Sequence, residues 1–240
     1  MSTAAVVPAA GRGERLGAGG PKALAHLHGE PLIVHSVRLL AAAEPVEWVV
    51  VAAPPDDVAH VQALLGECDL AAAVSVVAGG PTRSRSVLNA LMSLSADVDV
   101  VLVHDAARPL TPVGLVESVD AAVRAGLDAV VPGLPVVDTV KRVATGHGVV
   151  RVAGTVDREP LRAVQTPQGF RRDVLDRAYA SAVEDACLDA TDDAGLVERI
   201  GVSVAVVPGD EAAFKVTRPL DLVLADAVLT QRAAAHGGHS

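Results

Sequence analysis

Chemistry concentrates in a few short stretches of this chain. The first is AAGRGERLGAGGPKAL, residues 9–24, which places five glycines and three basic residues directly behind the apolar run Ala4-Ala5-Val6-Val7. Glycines after a strand let backbone N–H groups close on a phosphate, and basic side chains neutralise it. Three devices compete for the stretch. A dinucleotide fingerprint needs G-x-G-x-x-G at the strand-to-helix turn. Gly11 and Gly13 fit it, but Leu16 stands where the third glycine belongs and Gly17 comes one residue late. A P-loop needs G-x-x-x-x-G-K-[ST]; here Pro21 separates Gly20 from Lys22, and Ala23 replaces the hydroxyl. The third device, a long glycine-rich loop around a nucleoside triphosphate with Arg15 and Lys22 facing the phosphates, stays open.

Lysine is scarce. Of 20 basic residues, only those at 22, 141 and 215 are lysine. An ammonium is a compact, rotatable point charge that suits a phosphoryl group in transfer. That singles out Lys22 and Lys215 and leaves Lys141 open between function and accident. VLVHDAARPL, 101–110, ends an apolar run with His104-Asp105. A carboxylate at the carboxyl edge of a parallel sheet lies where ligands bind, and Asp105 could hold a Mg²⁺ that bridges phosphates. It would serve equally as the cap of a turn with Arg108 as its ion-pair partner, and His104 reads as structural. In AGGPTRSRSV, 78–87, Gly79 and Gly80 would let backbone approach a flat ligand, while Ser84 or Ser86 would cap the following helix. Thr166-Pro167-Gln168 and Thr191-Asp192-Asp193 carry turn and cap signals, and Pro219 after Thr217-Arg218 marks a helix start.

These residues need a scaffold that gathers them. The chain has 240 residues, half of them hydrophobic but only 2% aromatic, so alanine, valine and leucine must build the core. Near-continuous apolar runs at 4–7, 48–52, 74–77, 98–103, 129–131 and 203–207 predict strands covered on both faces. Helical patterns fall at 32–43, 56–65, 84–94, 112–125, 173–184, 193–200 and 219–231. The alternation predicts a single α/β domain over 1–240. One segment, 136–159, reads instead as a hairpin arm turning at Thr145-Gly146-His147-Gly148, with Asp138-Thr139 and Asp157-Arg158 near its roots. The small, polar tail at 233–240 is expected to be disordered. A net charge of −9 argues against generic binding to nucleic acid or anionic membrane. Neither a signal peptide nor a spanning segment is evident, so a soluble, cytoplasmic protein is expected. Cys68 and Cys187 match no metal or redox spacing.

Taken in order, AAGRGERLGAGGPKAL, GGPTRSRSV, VHDAARP, VDTVKR, TVDRE, TPQGF and FKVTRPLDL resemble the methylerythritol phosphate cytidylyltransferase family of non-mevalonate isoprenoid biosynthesis. The likeness runs from about residue 6 to 224, nearly the whole chain. It implies a Rossmann-like layered α/β/α nucleotidyltransferase fold with a mostly parallel sheet and a projecting β-arm. It also implies a homodimer joined through the arm, with CTP and 2-C-methyl-D-erythritol 4-phosphate as substrates, Mg²⁺ as metal, and pyrophosphate as the second product. Carried over residue by residue, Arg15, Lys22 and Lys215 become the catalytic cations. Ala9, Ala10, Gly11, Gly79, Gly80, Ser86, Asp105 and Ala106 become nucleotide contacts, with Asp105 also the metal ligand. Arg108, Thr139, Arg158 and Thr166 become acceptor contacts. The sequence departs from the wider nucleotidyltransferase pattern just before the second lysine. Ala212 and Ala213 stand where a further carboxylate or amide is common, with Asp210 and Glu211 slightly earlier. Competing readings are the same transfer onto another polyol phosphate such as ribitol 5-phosphate, a dinucleotide-dependent oxidoreductase, and a non-catalytic nucleotide-binding protein.

Overall fold

The computed structural model describes residues 1–11, 20–146, 148–188 and 190–237. The valine-rich runs form the expected strands. β1 (Ser2–Pro8) pairs in parallel with β4 (Val46–Ala53) on one side and with β6 (Val98–Val103) on the other. β5 (Ala73–Ala78) extends the sheet beyond β4, and β12 (Ala205–Pro208) runs parallel to β7 (Ala129–Pro135). Alternation sends successive side chains to opposite faces. Ala5, Val7, Val49 and Val51 therefore pack against α1 (Leu32–Ala41), α2 (Val58–Gly66) and α4 (Val113–Arg124). Ala4, Val6, Val50 and Ala52 face α3 (Arg83–Ser93), α5 (Arg172–Glu184) and α6 (Asp193–Arg199). The result is the layered α/β/α arrangement with a mostly parallel sheet.

Three differences from the sequence reading matter. The bend at Thr166 passes straight into a strand: β11 (Gln168–Arg171) runs antiparallel between β6 and β7, and β10 (Arg162–Val164) pairs antiparallel with the same side of β7, opposite β12. Gly169 allows this insertion. A methyl group there would lie 2.6 Å from Val119 Cγ1, so α4 packs directly on strand backbone. Second, a two-residue ribbon, β2 (His26–Leu27) with β3 (Glu30–Pro31), leads into α1. Third, α7 (Pro219–Gly237) runs beyond the helical pattern read at 219–231. α7 closes a small third cluster of Leu27, Leu32, Leu110, Val216 and Ala225.

The arm forms as read. β8 (Val140–Gly146) and β9 (Val149–Val156) make a separate antiparallel ribbon with a bulge between Arg142 and Val143. Lys141 donates across it to Thr155 Oγ1 at 2.6 Å. Turn residue His147 lies outside the described residues.

Candidate functional site

Three loops leave the carboxyl ends of β1, β5 and β6 and enclose a cleft of about 580 Å³, the usual ligand position in open α/β sheets. Each loop stays tethered as it leaves. Ala9 N–H donates to Ala52 O, Gly79 N–H to Ala53 O and His104 N–H to Val6 O, at 2.8, 2.7 and 2.9 Å. Gly79 sits against Ala10 so closely that a methyl group on it would lie 2.6 Å from Ala10 Cβ. Only a glycine lets these two cleft walls meet. Ser86 Oγ accepts from Gly80 N–H and donates to Thr82 O, both at 3.0 Å, and so clamps the glycine pair onto α3. The helix cap is Thr82, whose hydroxyl accepts from Arg85 N–H; neither serine has that role.

The first loop is closed at its roots. Lys22 N–H donates to Gly11 O at 3.1 Å, and both residues line the cleft with Ala9 and Ala10. Arg15, expected as a phosphate contact, lies outside the described residues. Lys215 arrives from the far end of the chain, held where Val216 N–H donates to Ala107 O at 2.8 Å.

Asp105 is the electrostatic centre. Its Oδ2 accepts from Lys215 Nζ at 2.6 Å and its Oδ1 from Arg83 Nε at 3.0 Å. Burial raises the cost of its charge, but Arg83 and Lys215 together hold the carboxyl far below the usual carboxylate range. Arg108, the alternative partner, makes no ion pair with it. Arg108 spans instead to the carbonyls of Ala213 and Val164, at 2.6 and 3.3 Å, pinning the Lys215 segment to β10. Beneath Asp105, Thr166 Oγ1 accepts the Asp105 N–H at 3.1 Å. The carbonyl of Arg108 can only accept, so His104 Nε2 donates to it at 3.2 Å; Nδ1 then accepts from the Thr166 hydroxyl at 3.2 Å. Burial drives His104 down to about 4, and the ring is neutral with both nitrogens engaged.

The cleft thus gathers Ala9, Ala10, Gly11, Lys22, Gly80, Ser86, Asp105, Ala106 and Lys215, with Gly79 and Thr166 directly behind its wall and floor. Arg108, Thr139 and Arg158 are not among its lining residues. Thr139 is exposed before β8, and Arg158 after β9 donates to the Val137 carbonyl at the arm's base. Sequence reasoning missed Arg83, which lines the cleft within the very stretch that supplied Gly80 and Ser86. Its signal was its place in the first turn of α3 beneath Asp105, and that needs the fold to be seen. Asp210, just ahead of the two alanines before Lys215, caps that turn by accepting Ala212 N–H at 2.7 Å. Among the described residues no three His, Cys, Asp or Glu side chains gather as a metal cluster.

Fold and cleft together have the form of a nucleotidyltransferase. The family model described as 2-C-methyl-D-erythritol 4-phosphate cytidylyltransferase matches residues 3–231, and the chain belongs to that family. It is 54% identical over 235 residues to the enzyme of that name from Streptomyces avermitilis, covering 96% of this chain and 92% of that protein. It is 57% identical over 228 residues to the one from Frankia casuarinae, covering 95% and 81%. Among solved structures, 2-C-methyl-D-erythritol 4-phosphate cytidylyltransferase from Thermus thermophilus superposes with a TM-score of 0.74 at 40% identity, covering 95% of this chain and 98% of that one.

Proposed function

We infer that this chain transfers the cytidylyl group of CTP to 2-C-methyl-D-erythritol 4-phosphate, releasing pyrophosphate and 4-diphosphocytidyl-2-C-methyl-D-erythritol. The observation that carries the reading is the convergence of Lys22, Lys215 and Asp105 on one cleft at the carboxyl edge of the sheet, in a chain of this family. A phosphate oxygen of the acceptor attacks the α-phosphorus of CTP, one P–O bond forms, and the bond to the β-phosphate breaks with its electron pair leaving on pyrophosphate. The acceptor phosphate has a second pKa of about 6 and is already largely dianionic at neutral pH, so no proton need be removed. This agrees with His104, whose two nitrogens are both committed inside the protein.

The work of the protein is then positioning and charge. Lys22 and Arg15 neutralise the leaving phosphates, and Lys22 with Lys215 stabilises the charge that builds on the α-phosphoryl oxygens. Gly79, Gly80 and Ser86 shape the wall against which the base lies. Asp105, the cleft's carboxylate, would hold a Mg²⁺, and the ion would supply charge that offsets the triphosphate. The reading further places the protein in the cytoplasm as a homodimer, with Thr139, Arg158 and Arg108 serving the acceptor, the first two across the subunit boundary. In support, both arm roots lie outside this chain's own cleft lining and the arm exposes Val143, Val149, Val150 and Val152.

The test is pyrophosphate release with Mg²⁺ and CTP, using methylerythritol phosphate or ribitol 5-phosphate as acceptor and ATP, GTP and UTP as controls. Release is expected with CTP and methylerythritol phosphate, and Lys22→Ala or Lys215→Ala should lower kcat by about 10²–10³ by analogy with lost oxyanion donors. Release only with ribitol 5-phosphate would keep the chemistry and overturn the acceptor; no release would sink the enzyme.

A further inference from the structure

Behind the cleft lies a second carboxylate that the transfer does not use. Asp193, in the first turn of α6, is fully buried. Its Oδ1 accepts the Tyr179 hydroxyl at 2.6 Å, and its Oδ2 lies 2.7 Å from Arg83 Nη1, an ion contact rather than an aligned hydrogen bond. Arg83 Nε meanwhile donates to Asp105 Oδ1. One guanidinium therefore spans two carboxylates from distant segments, one lining the cleft and one in the interior. Gln168 fixes the interior end: its Oε1 accepts the N–H groups of Asp193 and Ala194 at 3.2 and 3.1 Å.

We propose that Asp193 is a positioning residue for the transfer, acting through Arg83 on the cleft carboxylate Asp105. The argument rests on the reading of the cleft as a site for CTP and a divalent cation. Stripping a buried carboxylate of its cation is strongly unfavourable, so the Asp193 contact keeps Arg83 from swinging toward a phosphate. Asp193 anchors the Nη1 end of the guanidinium, which fixes the plane in which Nε meets Asp105. Asp105 Oδ2 then remains directed to Lys215 and the cleft. With that anchor removed, the planar guanidinium can turn to close on both oxygens of Asp105 and withdraw that carboxylate from lysine and cation alike.

The test compares wild type, Asp193→Asn and Tyr179→Phe. Tyr179→Phe disturbs the same buried pocket but keeps the counter-ion of Arg83. Three quantities are read: the thermal midpoint, the split between kcat and KM for CTP, and Mn²⁺ affinity in the presence of CTP alone by electron paramagnetic resonance. Asp193→Asn is expected to lose about 10–100-fold in kcat and in Mn²⁺ affinity, the usual range for partners that orient a ligand, with KM for CTP little changed. Tyr179→Phe should lower the midpoint while holding both quantities near wild type. Equal behaviour of the two variants, or a folded Asp193→Asn with wild-type kcat and Mn²⁺ affinity, overturns the proposal. Should Asp193→Asn not fold, Arg83→Lys takes its place, since one ammonium cannot hold both carboxylates in this geometry; the same losses are expected, and wild-type values overturn it. Failure of the functional reading looks different: wild type then binds no Mn²⁺ with CTP and releases no pyrophosphate.

Discussion

His104 has no solvent around it, and the neutral ring completes a chain from the Arg108 carbonyl through Thr166 to the Asp105 N–H. Protonation breaks that chain, because a second ring N–H displaces the Thr166 donor. The folded protein therefore binds this proton less tightly than the unfolded chain, with values of about 4 against 6.5. Its contribution is fully present above the unfolded value and is lost as pH falls through that window. At roughly 1.4 kcal/mol per pH unit for one proton, the loss reaches about 3 kcal/mol. Thermal midpoints should fall between pH 6.5 and 4 in wild type and respond less in His104→Asn; a flat wild-type profile would refute the assignment. Asp105 is also depressed, but its window opens only below the ordinary carboxylate value of 3.8, so the two effects separate. At this scale the sequence was readable where a residue type is scarce or carries chemistry by itself, as for Lys22, Asp105 and Lys215. Arg83 and Asp193 were not, because an arginine and a helix-cap aspartate look ordinary until the fold brings them to 2.7 Å.

Elements that touch backbone to backbone leave a sharper test than those that touch through side chains. Gly79→Ala puts a methyl group 2.6 Å from Ala10 Cβ and 3.0 Å from both Ala53 O and Ser86 Oγ, so the first loop and the glycine pair must move apart. We expect a rise in KM for CTP with a stability loss of about 1–3 kcal/mol, the common range for overpacking. Gly114→Ala in α4, outside the cleft lining and with nothing within 4 Å of its added methyl, should leave KM unchanged with no loss of stability and serves as the control. Titration calorimetry with CTP and a melting curve decide it. The helices were legible from their apolar spacing and the parallel strands from their valine runs. β11 was not, since two of its four residues are Gln168 and Gly169 and its inward apolar signal is Phe170 alone. What makes it a central strand is α4 lying on Gly169, a relation between distant segments that no local pattern records.

For the whole molecule the arm sets the main expectation. Cross-strand pairing of Val143 with Val152 and of Thr145 with Val150 places Val143, Val150 and Val152 on one face, each more than half exposed. An isolated two-stranded ribbon with such a face is marginal without a partner surface. Val150→Asp with Val152→Asp should therefore convert a dimer into a monomer by light scattering while leaving CTP binding intact. On the proposed reading, in which Thr139 and Arg158 serve a partner's cleft, KM for the acceptor should rise; a wild-type molecular mass and KM would count against the arm. The hairpin was readable from its glycine turn, but its sequence shows only exposed valines, not what they meet. One further consequence follows from the way Lys22 and Lys215 reach the cleft from opposite ends of the chain. A polypeptide halted just past Pro208 already contains every strand of the main sheet yet lacks the second ammonium. During synthesis on the ribosome the sheet is therefore laid down before the chemistry is complete, and a product truncated there lacks both Lys215 and the α7 side of the third cluster.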